Sequence, residues 1–296
     1  MPRAVKLSSK RLYGVYLQTI MNVSGTFKYK SATGLRRALR LPPTGRLALF
    51  LTATDKLIEK AWEFSDLRNV WERIASYEFE FVTSATYSVY QDDPRSDQIY
   101  NQERNFRTQD IFCELGLPSI PFLFFNPDSS RDFDSVIKWL RERGDISKVA
   151  ILAQCYRHRG SFQRLLVETQ TLVNAIERSL QFIFVGVAKL HKIRRIITQY
   201  PNAMFASVQP VLKAMKGELT LNGLEHRSIS LDEATSATLI TRNIMEFDRQ
   251  IAFERNRISM NECPTQLLLP FGNRTVSWNL SETFKGKDRV FGATTI

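Results

Sequence analysis

Two carboxylates stand where a parallel α/β fold would place chemistry: Asp55, just after the apolar run LALFL, and Asp92, just after the stretch TSATYSVY. A carboxylate at a strand end can act as an acid or base, or help hold Mg²⁺ where two oxygens converge on one point. Asp92 and Asp93 also precede Pro94, and that order suits the first turn of a helix, where acids answer the macrodipole. Asp97 and Glu103 follow in the same stretch. No complete catalytic set accompanies them: the chain has no G-x-S-x-G, H-E-x-x-H, G-x-x-x-x-G-K-[ST] or G-x-G-x-x-G. The only histidines are His158, His191 and His226, and Cys113, Cys155 and Cys263 lie far apart. Neither a metal site, a cofactor nor a disulfide framework is expected, and a reducing, cytoplasmic setting is the default.

Positive charge is the stronger signal. The first 54 residues hold ten Lys or Arg and no Asp or Glu, within a chain of 41 basic and 30 acidic residues and net charge +11. At the chain's average acid content about five acids belong there, and the remainder of the chain is nearly neutral. Lys28, Lys30, Arg36, Arg37 and Arg40 are the heart of this segment. Two further clusters occur. Arg157, His158, Arg159 and Arg164 follow the apolar run VAILA, and Lys189, Lys192 and Arg195 recur every three residues, so they share a helix face. Concentrated positive field attracts a polyanion, so DNA or RNA is the expected partner. The competing reading is a solvated basic edge. Phe27, Tyr29, Tyr87, Tyr90 and Tyr156 could stack on bases, or simply pack.

These residues need elements to position them. β-rich runs occur at 11–20, 47–53, 79–84, 119–125, 148–154, 181–187, 204–208 and 227–231, several continuously apolar as in strands buried on both faces. Helical periodicity fills most intervals. In 55–75, Leu57, Ala61, Phe64, Leu67, Trp71 and Ile74 step by three and four. Further helices are predicted at 95–115, 133–143, 161–180, 189–200 and 231–257, with short ones at 35–40 and 211–216. Eight strands, most followed by a helix, predict an α/β fold of the (βα)₈ TIM-like barrel type or a close variant, with an open doubly wound sheet as runner-up. The barrel is expected over 1–263, with 1–54 as its basic first βα unit and 264–296 as a C-terminal hairpin or arm. The first twenty residues are too polar for a secretion signal, and no apolar run approaches the roughly 18 to 20 residues of a membrane span, so no membrane association is expected.

One stretch carries a resemblance. Ser88, Tyr90, Asp92 and Pro94 form S-x-Y-x-D-x-P; Gln98, Ile99, Tyr100, Asn101 and Arg104 form Q-I-[YW]-N-x-x-R; Gly116, Ile120 and Pro121 form G-x-x-x-I-P. This resembles a domain-of-unknown-function family common in bacteriophages, plasmids and other mobile elements. The family commonly has an acid shortly before the Ser, where this chain has Thr86, and its earlier acidic pair is reduced here to Thr54 and Asp55. The resemblance implies a mobile-element or phage-defence context.

Helical spacing puts the amides of Gln98 and Asn101 on one face, where they could read a base or ribose, or satisfy loop backbone. Three functions follow. The first is a nucleic-acid-binding barrel within a larger assembly. The second is a barrel enzyme acting on a nucleobase or nucleotide by glycosidic exchange or hydrolysis, through Asp55 and Asp92. The third is an interaction subunit that binds an acidic protein.

Overall fold

A computed structural model describes residues 12–87, 94–124, 130–156, 158–229 and 233–261. Strand β1 (Leu12–Tyr16) runs straight into a single helical turn, α1 (Leu17–Ile20), and then α2 (Ala32–Ala38). Next come β2 (Arg46–Phe50), α3 (Asp55–Glu63), α4 (Val70–Ala75), β3 (Phe81–Thr83), α5 (Arg95–Glu114) and β4 (Ser119–Ile120). The second half is α6 (Ser130–Glu142), β5 (Lys148–Leu152), α7 (Arg159–Ile176), β6 (Gln181–Val185), α8 (Leu190–Gln199), β7 (Met204–Ala206) and α9 (Gln209–Met215). It finishes with β8 (Glu218–Thr220), β9 (His226–Ser228) and the long α10 (Glu233–Asn261).

The first seven strands are parallel and lie in chain order, β1 to β4 in one sheet and β5 to β7 in another. One parallel bridge, Phe122 to Ala150, joins them, with Ala150 N donating to Pro121 O and Leu123 N to Ala150 O. The order never reverses, which sets it apart from a doubly wound sheet. Side chains alternate across it. Leu47, Leu49, Val149, Ile151, Phe182 and Phe184 pack toward the helices. Ala48, Phe50, Phe81, Ile120, Phe122, Ala150, Ile183 and Val185 form a separate cluster built of strand and bridge residues alone. Leu12 and Tyr16 of β1 and Met204 and Ala206 of β7 pack on that same cluster. The apolar runs are therefore buried on both faces, as their lack of alternation predicted. Space in this layer is set by Gly14, where a Cβ would come within 2.6 Å of the Phe50 ring.

The α/β class is as expected, but several finer expectations need correction. A closed (βα)₈ barrel is not displayed by the described residues: the sheets are small and unclosed. The eighth strand, expected at 227–231, is β9, and it pairs antiparallel with β8. The strand expected at 11–20 stops at Tyr16. The helix expected over 55–75 is two helices, broken by turns before Asn69, whose φ of 47° is left-handed. Leu67, counted on the buried stripe, is 82% exposed in that break. The expected arm at 264–296 lies outside the described residues. No helix among the described residues is long and apolar enough to cross a membrane.

Candidate nucleic-acid interface

Parallel strands end together, so the loops after β1 to β7 gather at one edge, the carboxyl end of the sheet. There the strands separate, and side-chain hydroxyls replace ladder hydrogen bonds. Leu51 N donates to Thr83 Oγ1 at 2.8 Å, and Phe122 N donates to Ser84 Oγ at 2.8 Å. Thr83, Ser84 and Thr86 are all buried, so this small polar strand end is structural bracing.

The motif residues that follow form a clamp. Arg104, 6% exposed, gives a bidentate pair to Glu59 at 2.6 and 2.7 Å and lies 3.9 Å over the Tyr87 ring and 4.6 Å over Tyr100. It also donates to Asn101 Oδ1. Asn105 grips both backbone groups of Tyr87: its Oδ1 accepts from Tyr87 N at 2.7 Å and its Nδ2 donates to Tyr87 O at 3.2 Å. Gln98 is buried and accepts from Arg95 Nη1 at 3.1 Å. Gln98 and Asn101 therefore bond within their own helix, and the motif positions the chain at Tyr87. The sequence reading did not nominate Glu59 or Asn105. Asp92, Tyr90 and Arg157 lie outside the described residues. Asp55 is the first residue of α3, exposed at the carboxyl end of β2, where the helix dipole favours an acid.

The basic N-terminal segment divides between the two ends of the sheet. Lys28 Nζ donates to Gln18 O at 2.5 Å, beside the carboxyl end of β1. Arg36 instead donates to the carbonyls of Gly45, Tyr77 and Glu78, which precede the amino ends of β2 and β3. Arg37 and Arg40, both exposed, flank the end of α2 on the way to that same amino end. Lys30 is exposed before α2, and its carbonyl accepts from Arg73 of α4. Arg46 pairs with Glu80. Acids from later in the chain, Glu78 and Glu80, thus answer cations of the acid-free segment. The proposed stacking aromatics pack: Phe27 lies 5.9 Å from Tyr77, the Tyr29 carbonyl accepts from Tyr77 Oη, and Tyr87 is buried.

The clusters after β5 and β6 come together at the carboxyl end. Gly186 (φ +85°) follows β6, and a Cβ there would meet Gln154 Cβ at 2.6 Å, so the two loop entries touch. Lys192 reaches across: its Nζ donates to Tyr156 O at 2.5 Å and lies 4.8 Å over the Phe162 ring. Arg159 opens α7 and Lys189 precedes α8, both exposed, and neither helix has an acid in its first turn. Arg195 is half-buried one turn along. Burial, then the charges of Lys189, Lys192 and Arg195, hold His191 below the ordinary histidine value. Burial and Lys189 likewise lower Lys192. Lys189, Lys192 and Arg195 thus form the face that the spacing predicted, gathered around His191. Arg194 points away, to the buried Glu254 on α10 at 2.9 Å.

Among the described residues, no group of three or more His, Cys, Asp or Glu gathers as a metal site would. No protein-family model and no curated protein matches the chain.

Proposed function

We propose that this protein binds nucleic acid through the phosphate backbone, using the cations after β5 and β6 at the carboxyl end of the sheet. The observation that carries this reading is the field on His191, made by three positive charges from one helix face. Holding like charges together is unfavourable, and a polyanion relieves that repulsion. Arg159, Lys189, Lys192 and Arg195 form the surface, Arg157 joins them by sequence, and Lys28 stands at the same end of β1. DNA and RNA backbones share this chemistry. The function is binding within a larger assembly of a mobile-element or phage-defence system, in the cytoplasm. The sheet in this reading is a curled, barrel-like variant. Its support is the strand-only cluster on which residues of both β1 and β7 pack.

Titrating labelled single-stranded and duplex oligonucleotides across salt tests the proposal. Affinity should fall linearly in log–log form, and replacing Arg159, Lys189 and Arg195 with Ala should flatten the slope by about 0.7 to 0.9 per lost phosphate contact. An unchanged slope refutes it. Binding of an acidic protein that resists competing oligonucleotide would instead favour the interaction-subunit reading.

A second reading has one observation in its favour: Asp55 is exposed at the same end of the sheet as the cations. A nucleobase or nucleotide enzyme would place phosphate on the cations and a carboxylate opposite. An Asp55→Asn, Asp92→Asn double variant that retains full turnover would eliminate that role for both acids.

A further inference from the structure

We propose that His191 is a phosphate ligand of this surface, taking a proton from solvent when a phosphodiester docks against it, Lys189 and Arg195. This rests on the nucleic-acid reading above and names a residue and a chemistry beyond it. His191 is exposed, the second residue of α8, with Lys189 two residues before it and Arg195 four residues after it. Residues four apart share a helix face, so His191 and Arg195 flank one site. Lys192 is anchored on the Tyr156 carbonyl and the Phe162 ring, which keeps its charge beside the imidazole rather than sweeping through solvent.

The surroundings decide the direction of the coupling. On α8 itself, Lys189, Lys192 and Arg195 act on the ring, and all are positive. From the β5 side come His158 and Arg159 near the start of α7, and further along α7 Arg164 is paired with Glu168 at 2.9 Å. From α10, the carboxylate facing α8 is Glu254, already held by Arg194 and Arg257. The free protein thus disfavours imidazolium at this position. A bound phosphate reverses the local field and supplies an acceptor, so His191 becomes a donor at that moment. Binding and protonation are then linked, and each strengthens the other.

The test follows the His191 imidazole by NMR during pH titration of the full chain, alone and saturated with a 12-nucleotide single strand. The expected result is a His191 pKa raised by about one unit on binding, with affinity about tenfold higher near pH 5.5 than near pH 7.5. His191→Gln should lose that tenfold gain, whereas His226→Gln, on the distant β9, should keep it. Saturation with an unshifted His191, or a gain that survives in His191→Gln, overturns the proposal while leaving nucleic-acid binding intact. Absence of binding at low salt overturns both.

Discussion

His191 makes a prediction that needs no ligand. Because burial and neighbouring cations depress its folded-state pKa below 6.5, the unfolded chain binds a proton that the folded chain refuses. Its contribution to stability is complete above the ordinary value and lost as pH falls below about 6.5. His226 behaves alike, lowered by burial and then Lys213, with Glu218 opposing. Glu80 and Glu254, lowered chiefly by hydrogen bonds from Arg46 and Arg194, lose their contribution only below about 4.5, so the two windows separate. Urea denaturation between about pH 7 and 5 should therefore show stability falling with acid, and His191→Gln should flatten that slope. An equal slope in wild type and variant would count against the field described at α8.

At the level of elements, α5 carries a mostly polar buried face, and Arg104 shows what that face does. Arg104→Lys keeps the charge but loses the bidentate pair to Glu59 and the flat contact with Tyr87 and Tyr100. The expected cost is about 2 kcal/mol by chemical denaturation, and a cost near zero would mean that the clamp is decorative. Gly14→Ala should also destabilise, by about 1 to 3 kcal/mol, as the added methyl displaces Phe50 within the strand-only layer. Much of this level was legible beforehand. Continuous apolar runs such as FIFV and LALF identified strands covered on both faces, and spacing located α5, α7 and α8 closely. What escaped has physical reasons. The break between α3 and α4 depends on a left-handed Asn69 and on Arg68 stacking at 3.9 Å over Phe64, neither of which alters hydrophobic periodicity. The β8–β9 pairing is antiparallel because a short Gly-containing loop joins the strands, whereas the alternating pattern had implied another parallel crossover. Asn105 could have been suspected as a buried amide in a helix, but its grip on Tyr87 depends on the fold.

For the whole molecule, charge is distributed by end rather than by sequence segment. The acid-free N-terminal segment attracted attention as one docking surface, yet Arg36 is tied to backbone carbonyls at the amino end of the sheet and Lys28 stands at the carboxyl end. Later acids, Glu78 and Glu80, answer its cations, which explains how the segment tolerates having none of its own. The surface that concentrates field was the quieter signal, the repeat of Lys189, Lys192 and Arg195, joined through Lys192 to the chain just before α7. The central claim is that polyanion binding belongs to this surface. The most direct measurement compares the salt dependence of single-strand affinity in three proteins: wild type, the Arg159/Lys189/Arg195 triple Ala variant, and an Arg37/Arg40 double Ala variant at the amino end. The triple variant should lose about 2 from the log–log slope while the double variant keeps the wild-type value. A slope that drops in the double variant and holds in the triple would contradict the account.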